Sequence, residues 1–263
     1  MKTQILSALS AHPWKDRIHW FDTIDSTNTE AKRMAANGAP HGTVLIADHQ
    51  TGGRGRMGRS FHSPSGTGLY LSVLLRPECP ASQLMHLTCA TAVAACDAME
   101  HATGLRPGIK WTNDLVVGRK KLGGILTELS LDKDGKIAYA VIGIGINCTQ
   151  MEGDFPAEIA GIATSLSLCT RQSIDRAAVA AALVKTLCDM SGQLHDSTAF
   201  MNRYRADCIT LGQDISLVRG EEIRHGKALD IDGQGALLVQ FPDGHTETVN
   251  SGEVSVRGMY GYV

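Results

Sequence analysis

Apolar and polar positions alternate at different periods along the chain, and the changes of period mark its elements. The first clear helix opens at Asp25-Ser26-Thr27-Asn28-Thr29-Glu30. Thr27, with Glu30 three residues on, fits a capping box, and Gly38 supplies a stop. Residues 43–47 form a short β-rich run, and residues 68–75 alternate as a strand does. Between them, residues 51–67 are rich in Gly and Arg and follow neither period. From 82 to 101 the apolar spacing is helical and Gly104 ends it. Residues 108–111, 115–117, 122–131 and 136–146 read as strands, the last two joined by the turn Asp132-Lys133-Asp134-Gly135. Residues 174–194 and 198–208 read as helices.

Beyond Leu211 the texture changes. Residues 214–218, 222–229, 236–241 and 246–250 are short strand-like runs, separated by Arg219-Gly220, Asp232-Gly233 and Asp243-Gly244. That is the punctuation of an all-β unit, a small barrel or sandwich. A mixed α/β domain over 1–210 and a small domain over 211–263 are therefore expected. No internal repeat and no low-complexity segment is visible.

Composition narrows the function classes. The 263 residues, 43% of them hydrophobic, are enough to bury a substantial core. A formal charge of −2 lacks the positive excess with which proteins neutralise phosphates of duplex DNA, so no nucleic-acid partner is expected. No apolar run approaches bilayer-spanning length, and the first residues, with Lys2, His12 and Pro13, do not form a signal peptide. Seven cysteines lack regular spacing, and Cys89 and Cys96 fall in an apolar helical stretch as core positions do. Free thiols suit a reducing, cytoplasmic setting. Ten histidines are scattered without metal-ligand spacing, so no residue is assigned as a protein metal ligand.

Three segments carry candidate chemistry. Gln50-Thr51-Gly52-Gly53-Arg54-Gly55-Arg56-Met57-Gly58-Arg59 sets arginines between glycines just after a strand. Bare backbone N–H groups and guanidinium forks suit a phosphate or an activated carboxylate. The spacing is neither a P-loop nor a dinucleotide fingerprint, and a solvated basic loop fits the segment alone equally well. Lys110-Trp111-Thr112-Asn113-Asp114 is followed by Lys120-Lys121-Leu122-Gly123-Gly124-Ile125. Paired glycines inside a strand mark a bulge or a ligand's close approach, and a carboxylate beside lysines can serve Mg²⁺ and nucleotide phosphates. A hairpin with a surface salt bridge is the alternative. In Gly143-Ile144-Gly145-Ile146-Asn147-Cys148 two glycines at spacing two strip one sheet face of side chains, clearing a surface for a ring or for tight packing.

Taken together and in order, these segments resemble the biotin protein ligase family. The matching pieces are Asp25-Ser26-Thr27-Asn28, Gly53-Arg54-Gly55-Arg56 through Gly58-Arg59, Ser63-Pro64, Lys110-Trp111 with Asn113-Asp114, Lys121-Leu122 with Gly124-Ile125-Leu126, and 143–147. The resemblance spans about residues 20–257. It implies an α+β fold: a central mixed β-sheet flanked by helices, of the class II synthetase-like or biotin/lipoate ligase kind, with a small SH3-like C-terminal β-barrel. The activity implied is ATP-dependent activation of biotin to biotinyl-5′-AMP, then transfer to a lysine of the biotin carboxyl carrier protein of acetyl-CoA carboxylase.

By the same resemblance, Ser26, Thr27 and Asn28 line a biotin pocket, and Gln50 with the backbone from Gly53 through Gly55 to Arg56 closes over it. Arg54, Arg56 and Arg59 neutralise phosphate, and Phe61 packs near the base. Lys121 faces the biotin carboxylate and the α-phosphate, with Gly124 beside it. Lys110, Asn113 and Asp114 serve nucleotide and Mg²⁺, Gly143 and Gly145 clear the surface, Asn147 lies near the phosphates, and Arg257 approaches ATP. Two departures stand out. Thr112 replaces a proline common in the family, which is expected to bear on loop stiffness rather than chemistry. Fewer than thirty residues precede Ser26, too few for the winged helix-turn-helix of repressor members, so an enzyme without repressor function is expected. A lipoate-attaching enzyme and a non-catalytic biotin sensor are the rival readings. Oligomeric state, a homodimer included, is left open.

Overall fold

A computed structural model of the chain describes residues 1–78, 81–250 and 255–258. Seven strands, β1 (Ile18–Ile24), β2 (Thr43–Gln50), β3 (Gly68–Leu75), β4 (Gly108–Lys110), β5 (Asp114–Val117), β6 (Lys120–Leu131) and β7 (Ile137–Asn147), form one sheet in the order β1-β2-β3-β7-β6-β5-β4. Strands β1 and β2 are parallel and every other pairing is antiparallel, so the sheet is mixed. The helices are α1 (Lys2–Ala8), α2 (Thr27–Ala36), α3 (Leu87–Thr103), α4 (Ala157–Ala160), α5 (Leu166–Thr170), α6 (Arg176–Gly192) and α7 (Ser197–Asp207).

Period-two alternation divides the sheet's faces. Val44 and Ile46 of β2, Leu69, Leu71 and Val73 of β3, and Ile142, Ile144 and Ile146 of β7 join α3 and α6 in the main core. Residues of opposite parity, Leu45, Leu74 and Val141, meet Ala31 and Ala35 of α2 in a smaller cluster on the other face. Helix α2 covers only part of that face. Farther along the same strands the parity that faces α2 brings Ser72, Gly143 and Gly145 to the surface on which the candidate site lies.

The capping expectation for α2 needs a shift of one residue. Ser26 is the N-cap, with extended backbone and an Oγ that accepts from Thr29 N at 3.5 Å, while Thr27 is already helical. Glu30 does not close a box; it pairs with Arg33 at 3.1 Å. Gly104, at φ 73°, ends α3 as expected, although the helix begins at Leu87 after a 3₁₀ turn over Ala81–Leu84. The paired glycines of β6 do mark a bulge: Leu115 faces Gly123 and Val116 faces Lys121, leaving Leu122 extra.

The remaining strands, β8 (Asp214–Arg219), β9 (Glu222–Ile231), β10 (Leu237–Gln240), β11 (Thr246–Val249) and β12 (Ser255–Gly258), make an antiparallel sheet in the order β11-β10-β9-β8-β12. Its inward residues Ile215, Leu217, Leu237 and Val239 belong to the same apolar cluster as α3 and α6. Trp111 Nε1 donates to Gly235 O at 2.9 Å, and Arg205 Nε of α7 donates to Ile231 O at 2.7 Å. These bonds tie the second sheet to the turn between β4 and β5 and to α7. Among the described residues, no helix is long and apolar enough to cross a membrane.

Candidate active site

A cleft opens on the sheet face beside α2, enclosing about 810 Å³ with the solvent at its mouth. Its floor is β7 and β6, one wall is the start of α2, and the loop after β2 forms the lid. The floor is shaped by missing side chains. A Cβ on Gly143 would stand 2.1 Å from Asn28 Oδ1, and one on Gly145 would stand 2.6 Å from the Phe61 ring. Thus the glycine pair does clear one sheet face, and two protein side chains lie upon it.

The α2 wall is a chain of hydrogen bonds. Gln50 Oε1 accepts from Thr27 N at 2.8 Å and from Thr27 Oγ1 at 3.1 Å, while Gln50 Nε2 donates to Ser63 Oγ at 3.1 Å. Ser72 Oγ lies 2.8 Å from Thr27 Oγ1 and 2.6 Å from Asn28 Oδ1. Asn28 Nδ2 donates to Glu128 Oε2 at 3.0 Å. Each polar group on this buried wall is aimed by a partner, as buried polar groups must be.

The lid is a small hairpin. Gly55 N donates to Arg59 O at 2.7 Å and Phe61 N to Gly53 O at 3.0 Å, so Arg54 and Ser60 face one another. Gly53 is required by close approach, since a Cβ there would meet Phe61 O at 2.4 Å and Ser63 Oγ at 2.5 Å. Arg54 reaches Glu128 Oε1 at 3.4 Å, and Lys32 Nζ meets the same oxygen at 2.9 Å. Burial would raise the Glu128 carboxyl, but bonds from Lys32 and Asn28 and the charges of Lys32 and Arg54 outweigh it and hold the group below the ordinary carboxylate value.

Arg56 Nη1 donates to Thr112 Oγ1 at 2.9 Å and to Asn113 Oδ1 at 2.7 Å. Burial lowers its pKa from the ordinary value, against the upward pull of Asp114; a guanidinium remains charged regardless. Asn113 Nδ2 donates to Ile125 O at 3.0 Å. Lys121 Nζ is 2.6 Å from Asp114 Oδ1. The Trp111–Thr112 peptide is cis. Thr112, expected to bear only on loop stiffness, thus contacts a lid arginine directly.

Of the residues singled out from the sequence, Ser26, Thr27, Asn28, Gln50, Arg54, Gly55, Arg56, Arg59, Phe61, Asn113, Asp114, Lys121, Gly124, Gly143 and Gly145 line this cleft. Gly53 lies behind the lining, in the lid's backbone. Two others are not among the lining residues. Lys110 is buried on β4, its Cα opposite that of Asp114. Asn147 ends β7 beyond the cleft, where Nδ2 donates to Thr164 O at 2.9 Å and Oδ1 accepts from Gln150, so its amide serves the chain rather than the site. Arg257 lies on β12 with its Cα opposite Ser216; its side chain falls outside the described residues. Cys79 falls outside them as well.

Sequence reasoning missed Tyr70, Ser72 and Glu128. Tyr70 lines the cleft and donates to Pro64 O at 2.9 Å, supporting the lid's return. Tyr70 and Ser72 stand two apart in an otherwise apolar strand, a local signal that could have been read. Glu128 shows its relevance through partners far away in sequence, Lys32 and Asn28, 96 and 100 residues back, and Arg54.

Comparison with known proteins agrees with this geometry. Residues 20–147 match the biotin/lipoate A/B protein ligase family, and residues 210–257 match the biotin protein ligase C terminal domain. The chain is 34% identical over 237 residues to a biotin--[acetyl-CoA-carboxylase] ligase of Mycobacterium tuberculosis, covering 87% of this chain and 85% of that protein. It is 38% identical over 259 residues to the bifunctional ligase/repressor BirA of Bacillus spizizenii, covering 92% of this chain and 75% of the relative. The biotin protein ligase of Aquifex aeolicus, solved in complex with biotin and ATP, superposes with a TM-score of 0.77 at 32% identity, covering 92% of this chain and 98% of that one. The chain belongs to the biotin protein ligases, within the biotin/lipoate A/B protein ligase family.

Proposed function

We propose that the chain activates biotin with ATP to biotinyl-5′-AMP and transfers the biotinyl group to a lysine of a biotin carboxyl carrier protein. The observation that carries this reading is the meeting of Arg56 and Lys121 in one cleft with the Thr27–Gln50 wall. In the first step a carboxylate oxygen of biotin attacks the α-phosphorus, and the bond to pyrophosphate breaks. Two anions must approach, so Arg56 and Lys121 offset their repulsion and stabilise charge on the transferring group. Arg54 and Arg59, at the mouth, add to the positive field, and the lid hairpin excludes water from a labile mixed anhydride. In the second step a neutral lysine amine attacks the acyl carbon and AMP leaves.

Asp114 is the carboxylate that lines the cleft. One carboxylate is a sufficient protein contribution for Mg²⁺, which takes most of its ligands from substrate phosphates and water. When bound, the cation neutralises phosphate charge, while Asp114 also holds the Lys121 ammonium in place. We assign this chemistry to a part spanning 1–210, with 211–263 as a small second part that supports the turn at Trp111. The six described cysteines are free thiols, in keeping with a reducing, cytoplasmic setting.

The test is incubation with ATP, Mg²⁺ and biotin, followed by mass spectrometry for biotinyl-AMP, with lipoate in a parallel arm. Biotinyl-AMP, and biotin on a carrier domain added afterwards, is the expected result. Lipoyl-AMP alone would make the chain a lipoate enzyme, and biotin binding without pyrophosphate release would make it a sensor.

A further inference from the structure

The geometry points to Thr112 as a positioning residue for adenylation, its hydroxyl aiming the Arg56 guanidinium into the cleft. The inference rests on the proposed adenylation and goes beyond it by naming what places the arginine. Arg56 sits on a lid, and a lid by itself does not hold a long side chain to sub-ångström tolerance. The Nη1 nitrogen carries two hydrogens, and two acceptors face it, Thr112 Oγ1 at 2.9 Å and Asn113 Oδ1 at 2.7 Å. With both hydrogens directed, the plane of the guanidinium is set. Both acceptors are neutral, so they orient the group without cancelling the charge it presents to a phosphate.

Thr112 can serve as a fixed point because its backbone is held from elsewhere. Tyr204 Oη, fully buried on α7, donates to Thr112 O at 2.9 Å. Next to it, Trp111 N donates to Thr210 Oγ1 at 2.9 Å and Trp111 Nε1 to Gly235 O at 2.9 Å. The turn is anchored on α7 and the second sheet, and its one side-chain hydroxyl faces the lid. Thr112 itself is 3% exposed, so its hydroxyl has a defined direction. A proline at this position would offer Arg56 no side-chain acceptor.

The experiment compares Thr112→Val with Thr112→Ser in the full chain. Pyrophosphate release is measured at saturating biotin, and biotin affinity is measured by calorimetry without ATP. Thr112→Val is expected to lower kcat/KM for ATP by about tenfold, the equivalent of one hydrogen bond to a charged group, with biotin affinity unchanged. Thr112→Ser is expected to recover most of the rate. In an Arg56→Ala background, Thr112→Val should change the rate by less than about twofold, because a residue acting through Arg56 has nothing left to aim. A Thr112→Val enzyme at the parent's rate overturns the assignment, and so does an equal loss in the Arg56→Ala background, which would mark a general packing role. If Thr112→Val loses biotin binding through misfolding, Thr112→Ala against Thr112→Ser makes the same comparison. A parent that forms no biotinyl-AMP defeats the proposed function, and this inference with it; full parental activity alongside an insensitive Thr112 defeats the inference alone.

Discussion

Lys121 Nζ and Asp114 Oδ1 lie 2.6 Å apart, on neighbouring strands β6 and β5, with both residues lining the cleft. The bulge at Leu122 brings them together, since Asp114 is in register with Gly124 and Lys121 with Val116. A lysine tethered in this way delivers its charge at a fixed point rather than from a swinging stem.

Lys121→Ala is expected to slow biotinyl-AMP formation by roughly 10²-fold or more, measured by pyrophosphate release. Asp114→Asn keeps the amine and loses the tether. Its cost should be smaller, about tenfold, the scale of one charge-assisted hydrogen bond. Parental rates from Lys121→Ala would remove this residue from the mechanism.

Glu128 makes the lid's grip dependent on acid. Because its pKa is held below the ordinary value of 4.5 in the folded chain, the stability it contributes is present above that value. It is lost as pH falls from there through the lower native value. Urea midpoints of the parent should therefore decline more steeply below about pH 4.5 than those of Glu128→Gln. Parallel declines would show that the carboxylate is not linked to folding.

Gly143→Ala places a methyl where Asn28 Oδ1 stands, and Asn28 cannot give way because Ser72 and Glu128 hold it. The variant should lose about 1–3 kcal/mol of stability and bind biotin weakly. Gly145→Ala meets the Phe61 ring instead, on a lid that can shift. Its stability loss should be the smaller of the two in thermal unfolding, and the reverse order would contradict the packing described.

Tyr204→Phe removes the donor to Thr112 O, leaving a buried carbonyl without that partner. A loss of roughly 1–3 kcal/mol is expected in chemical denaturation. Burial raises the Tyr204 hydroxyl well above its ordinary pKa, so the phenol remains a donor through the alkaline range in which enzymes are assayed.

The elements legible in the sequence were those with one strong period. Strand β3, buried along its whole length, and the glycine pair of β7 could be read directly. Strand β1 escaped notice: it is an edge strand of partly exposed residues, and its sequence Ile-His-Trp-Phe-Asp-Thr-Ile alternates weakly. Helix α1 has seven residues with only Ile5 buried, too little for a periodic signal. Asn147 shares the parity of Gly143 and Gly145, yet the segment around Thr164, 17 residues farther on, folds back and captures its amide. Parity predicts a face. It does not predict what later covers the end of a strand.

The bond from the Trp111 indole to Gly235 O crosses from the principal sheet to the smaller one. Melting of the C-terminal strands would release the indole and slacken the Lys110–Asp114 bend. Because the two sheets share one apolar cluster, catalytic competence and the integrity of the little sheet would fade over the same temperature interval, although the two regions are encoded more than a hundred residues apart.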